Sequence, residues 1–137
     1  MKLDELSASY LKKAKVRFKA LSFYKENGAY SDVVREAQEL VALLLKAVLR
    51  SLGVEVPKIH DVGRTLEKHR QLLPAIPNNS LDDIKRISKR LRKERELSFY
   101  GAEDFIPTEE YELADADMAI MEAEFVINVV QEAFTNG

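Results

Sequence analysis

Apolar residues recur every three or four positions along most of the chain, and that spacing predicts five helical segments. The first spans about Leu3 to Glu26, with Leu11, Val16, Phe18, Ala20, Leu21 and Tyr24 on its apolar face, and the turn pair Asn27-Gly28 stops it. The second runs from about Ser31 to Leu52. Ser31 and Asp32 are available as caps, and Ala37, Val41, Leu44, Leu45 and Val48 stack along one side. Gly53 closes this helix, and "VEVPKI" is an extended connector shaped by Pro57. A third, shorter helix begins after His60-Asp61 and ends before "PAIPNNS", whose two prolines oppose continuation. The fourth opens at Ser80, with Asp83 in the reciprocal position of a capping box, and continues to about Tyr100. The loop "GAEDFIPTEEYEL" leads to a last helix from about Ala114 to Phe134, apolar at Ile120, Ala123, Ile127 and Val130.

Connections this short favour antiparallel neighbours, and no segment reads as a strand, so the predicted fold is all-α: an up-and-down bundle of four to five helices. The length of 137 residues fits a single domain over 1–137, with enough chain to bury a core. With no cysteine, the sequence excludes disulfides, thiolate nucleophiles and cysteine-based zinc sites, and it fits a reducing cytoplasm. The longest apolar run, "LVALLLKAVL", is broken by Lys46 and reads as a buried helix. No window reaches the roughly 18 apolar residues of a spanning helix, and the amino-terminal stretch lacks a signal-peptide core, so a cytoplasmic protein without a membrane partner is expected. The net charge of −2 changes the picture in one respect: affinity for nucleic acid must come from a local patch.

Such a patch is visible in "RLRKERELSFYG", Arg90 to Gly101. On a wheel advancing about 100° per residue, Ile84, Ile87, Ser88 and Leu91 share the inward stripe. Lys85, Lys89 and Arg92 lie to one side of it, and Arg86, Arg90 and Lys93 occupy much of the polar back, where pairing with Glu94, Glu96 or the acidic last helix is the simplest account. Arg95 falls on the core stripe, with Ser98 beside it. A guanidinium there needs a carboxylate within the bundle, such as Glu39 or Glu122, or a wet groove that a phosphate or a second subunit enters. Phe99 and Tyr100 offer stacking surfaces for a base. Arg92, Arg95, Ser98 and Tyr100 are therefore the candidate phosphate- or nucleotide-binding residues.

Other chemistry is sparse. His60, in "KIHDVG", suits a cap or turn with Asp61, and His69 reads as a surface residue. Nine residues apart, they do not make a helical metal pair. Glu109, Glu110, Glu112, Asp115 and Asp117 lack the pattern of a calcium loop and read as a solvated cluster near a helix N-terminus. No glycine-rich phosphate loop or nucleophile elbow occurs, and no metal or cofactor is expected.

The order of features in "YSDVVREAQELVALLLKAVLRSLGVEVPKIHDVGRTLEKH" resembles the HEPN-domain family: an aromatic, Ala37-Gln38, the helical Lys46, then Gly-Val, Pro and His-Asp. The first helix and the later "RKERELSFYG", with its acidic loop and Ala/Glu-rich final helix, extend the resemblance over nearly the whole chain. Ala42 departs from it, standing where the family's glutamate is expected. The resemblance implies a helical bundle that usually forms a homodimer. Many such proteins are paired with a minimal nucleotidyltransferase in toxin–antitoxin-like systems. Active members are metal-independent ribonucleases that use an arginine followed, after four to six residues, by a histidine; others bind nucleotide or protein.

Arg64 and His69 fit that spacing, but five helical residues turn about 140°, so the two side chains diverge. In the region where the resemblance places the pair, Arg92 or Arg95 stands for the arginine and Ser98 for the histidine. A hydroxyl cannot replace imidazole in proton transfer near neutral pH. The leading expectation is a non-catalytic, dimeric HEPN protein that binds a nucleotidyltransferase, nucleotide or RNA. The alternatives are a ribonuclease with an atypical site, built on Arg95 or on His69 across a dimer, and a purely structural or regulatory helical module. His60, Arg64 and His69 are the secondary site candidates.

Overall fold

In a computed structural model, residues 1–55 and 62–136 are described, apart from the side chains of Arg95, Glu96, Phe99 and Asn136. Six α-helices occur among them: α1 (Glu5–Glu26), α2 (Tyr30–Ser51), α3 (Val62–Lys68), α4 (Asn78–Phe99), α5 (Pro107–Glu110) and α6 (Leu113–Asn136). The described residues form no strand; a lone bridge joins Ala102 and Phe105. The all-α expectation holds, with α1, α2, α4 and α6 as the long members of the bundle. None of the described helices is long and apolar enough to cross a membrane.

The sequence of α2 explains its central position. Val33, Val34, Ala37, Leu40, Val41, Leu44, Leu45, Ala47, Val48 and Leu49 are all buried, which covers much more than one stripe. Such a helix must be clad on several sides. α1, α6 and α4 do this, while α3 rests chiefly on α4. From α4, Ile84, Ile87 and Leu91 enter the core as the wheel predicts, and α6 contributes Ala119, Ala123, Val126 and Val130. The alanines and valines of α6 allow close approach to the bulkier leucines of α2.

Several helix starts differ from expectation for identifiable reasons. Asp4 caps α1 by accepting a 2.7 Å hydrogen bond from the Ser7 amide, so the helix begins two residues after Leu3. Val16 is 59% exposed: it lies about 200° around from the buried Ala14, on the lysine-bearing outer side. α2 starts at Tyr30, because the turn at Gly28 brings the Ala29 amide onto Tyr24 O at 2.8 Å and the chain re-enters a helix at once. Ser31 and Asp32 are consequently inside the first turn and do not cap it. α4 begins at Asn78, with the Leu81 amide bonded to Pro77 O at 2.9 Å. Asp83 accepts from Arg86 at 3.3 Å instead of completing a box at Ser80. The loop after α4 carries α5, whose proline in the first turn loses no needed donor, and it delivers Tyr111 into the core.

Gly101 sets the exit from α4. Its φ is +71°, and a Cβ there would stand 2.5 Å from Phe105 O and 2.6 Å from Pro107 Cδ. Any side chain therefore meets both backbone strain and a clash. Two consequences are measurable in urea unfolding. Leu44→Ala, at a fully enclosed position of α2, should cost about 2–5 kcal/mol. Gly101→Ala should destabilise by about 1–3 kcal/mol, with the loss of amide protection centred on the turn at residues 101–107.

Candidate functional site

α3 packs against α4 along a groove of about 570 Å³. Arg64 and Glu67, three residues apart, look out from one side of α3, while Lys85, Lys89 and Arg92 line α4 at spacings of four and three, with Arg86 next to them. The small Gly63 and Ser88 leave room between these long side chains. Among the described residues, five cations thus meet one carboxylate. The stretch from Lys85 to Arg92 covers about 10 Å of helix, longer than a single phosphate group.

The carboxylate is held firmly. Glu67 accepts from Arg70 Nε at 2.6 Å and Nη2 at 2.9 Å, and from Lys85 Nζ at 2.7 Å. Arg70 in turn donates to Asp82 and to Asn78, both at the start of α4. This clasp ties the end of α3 to the first turn of α4 and fixes the width of the groove. Hydrogen bonds from Arg70 and then Lys85 lower the Glu67 carboxyl from its ordinary 4.5 to about 2. A carboxylate so stabilised is a poor proton acceptor at neutral pH. The groove therefore presents positive charge and hydrogen-bond donors, the equipment for holding an anion.

The sequence candidates separate in space. Arg92 and Arg64 line this groove together, although they come from different candidate sets. Ser98 is 1% exposed, enclosed on the core stripe of α4, and does not line it. Tyr100 is 76% exposed just beyond the end of α4. His69 follows α3, its Nδ1 lying 2.9 Å from Thr65 O, and does not line this groove with Arg64. The Arg95 and Phe99 side chains and all of His60 lie outside the described residues. Lys85 and Lys89 share the face of Arg92 as the wheel predicts, but the sequence singled out neither as a site residue, nor Glu67. The three-residue spacing of Arg64 and Glu67 was the available signal; which helix they would face was not.

A second polar cluster joins α4, α6 and the intervening loop. Arg90, expected on the solvated back, is partly enclosed and hydrogen-bonds Glu122 of α6. Burial pushes the Arg90 guanidinium down from its ordinary value, with Glu94 and Asp115 opposing the shift. Tyr111 donates a 2.5 Å hydrogen bond to Glu94, and burial, then this bond, raises its hydroxyl above the usual tyrosine value. These bonds pin the loop and α6 to α4, although the Arg90 Nε is buried without a hydrogen-bond partner among the described residues. Among the described residues no group of three or more acidic or histidine side chains could hold a metal ion.

The clasp makes acid sensitivity local. Since the folded value of Glu67 lies below its ordinary value, its contribution is complete above about pH 4.5 and is lost as pH falls through about 2. Amide exchange in α3 should accelerate across that window before exchange in α2 does. Glu67→Gln should flatten this response, which NMR-detected exchange at several pH values measures.

No curated protein gives a significant match to this sequence. The HEPN domain family model, in contrast, matches residues 7–133, which takes in all of α2 through α5, all but the first two residues of α1 and all but the last three of α6. HEPN is an all-helical fold, in agreement with the bundle described above. The chain belongs to the HEPN domain family.

Proposed function

We propose that this protein is a non-catalytic, dimeric HEPN protein of the cytoplasm that binds single-stranded RNA through its phosphate backbone, in the groove between α3 and α4. The observation that carries this reading is the convergence of Arg64, Lys85, Arg86, Lys89 and Arg92 on one groove in a chain whose net charge is −2. A basic surface on an acidic protein is a local investment, and phosphate chains are the ligands that repay it through counterion release. The exposed ring of Tyr100, beyond the same end of α4 as Arg92, adds a stacking surface for a base. HEPN domains often dimerise, and a dimer would present two such grooves.

The absence of chemistry in this reading rests on the lining. Among the described residues it contains no imidazole, the carboxylate there is a weak base, and Ser98 is enclosed elsewhere. Phosphate positioning remains without a group to move protons near pH 7.

Fluorescence anisotropy with a labelled oligouridylate, in the presence of chelator, tests the proposal. For five phosphate contacts, raising salt from about 50 to about 200 mM should weaken binding on the order of 100-fold. The triple variant Arg64→Ala/Lys89→Ala/Arg92→Ala should abolish salt-sensitive binding with little change in melting, because none of the three belongs to the core. The oligonucleotide should be recovered intact. Cleavage by the wild type, or undiminished binding by the triple variant, would overturn this function.

A further inference from the structure

Resting on the RNA-binding reading of this groove, we propose that Glu67 is a built-in counter-anion: a ligand phosphate must take Lys85 from it, so the groove favours phosphate chains over single phosphates. Glu67 lies inside the groove lining, and its Oε1 receives both Lys85 Nζ at 2.7 Å and Arg70 Nη2 at 2.9 Å. Its Oε2 receives Arg70 Nε at 2.6 Å. The carboxylate is thus gripped at both oxygens by one guanidinium and touched at one oxygen by the lysine. The two interactions differ in kind. The paired guanidinium bonds fix Glu67 on its own side, whereas the lysine ammonium, on a flexible stem, can turn to another acceptor.

Without a ligand, Glu67 holds Lys85 extended across the groove and balances part of the charge there. An entering phosphate meets this carboxylate at close range. A lone phosphate gains one lysine and keeps the repulsion. A phosphate chain gains Lys89 and Arg92 as well, a helical turn or two further along α4 than the lysine that Glu67 holds. Arg70 lies outside the groove lining and retains Glu67 throughout, supported by Asp82 from the other side. The displacement therefore needs no unfolding of α3.

The test compares Glu67→Gln with Asp82→Asn. Each removes one negative charge and one carboxylate partner of Arg70, so loosening of the clasp is common to both. Only Glu67→Gln releases Lys85. With the oligouridylate probe, Glu67→Gln should bind about fivefold more tightly, the upper range for an exposed ion pair, and Asp82→Asn should differ from wild type by less than about twofold. The log–log salt dependence of Glu67→Gln should steepen by about 0.7, one additional uncompensated phosphate contact. Inorganic phosphate should displace the probe from Glu67→Gln at lower concentration than from the wild type, relative to probe affinity. If Lys89→Ala/Arg92→Ala binds as the wild type does, the groove reading fails and the counter-anion role falls with it. If that double variant is weakened while Glu67→Gln is no tighter than Asp82→Asn, the groove stands and the counter-anion role is wrong.

Discussion

The burial of α2 is the constraint from which the remaining architecture follows. A helix with apolar side chains around most of its circumference has no acceptable face to show to water. It must be surrounded, and α1, α4 and α6 are the surrounding elements. Because Ile84, Ile87 and Leu91 direct α4 toward that centre, its side face with Lys85, Lys89 and Arg92 is carried to the flank where α3 lies. The groove is thus a secondary product of core packing. The cations are positioned by apolar residues on the other side of their own helix.

Electrostatics then decides what the flank can become. Five cations so close together repel one another, and the Glu67–Arg70–Asp82 network supplies fixed negative charge beside them. Ion pairs at exposed sites individually contribute little to stability. Here their geometric effect is greater: the bidentate arginine gives α3, which has few core residues of its own, a defined seat on α4. The second cluster, Arg90 with Glu122 and Tyr111 with Glu94, does comparable work at the other flank of α4. One strongly charged helix is divided between a side that is internally neutralised and a side that keeps an excess of positive charge.

The bundle was legible because apolar periodicity reports burial directly. The inward stripe of α4 and the grouping of Lys85, Lys89 and Arg92 both follow from helix geometry alone. Helix starts at Tyr30 and Asn78 were less accessible, since backbone turns at Gly28 and Pro77 substituted for the side-chain caps that Ser31, Asp32 and Ser80 advertised. Tyr111 hid in a loop because a single buried aromatic has no periodicity. The candidate site was half visible. Arg64 and Arg92 could be named, yet nothing in a one-dimensional pattern tells which helix faces which, so their meeting across the groove, with Glu67 between them, required the packing. Arg90 misled for a related reason: its polar wheel position faces α6 rather than solvent.

The enclosure of Ser98 constrains what can replace it. This position, where the resemblance to ribonuclease members calls for histidine, is 1% exposed and filled by a serine side chain much smaller than an imidazole. An imidazole introduced there would overpack the interior unless neighbouring side chains contracted or α4 rotated. A histidine at this position therefore requires a concerted change of several residues.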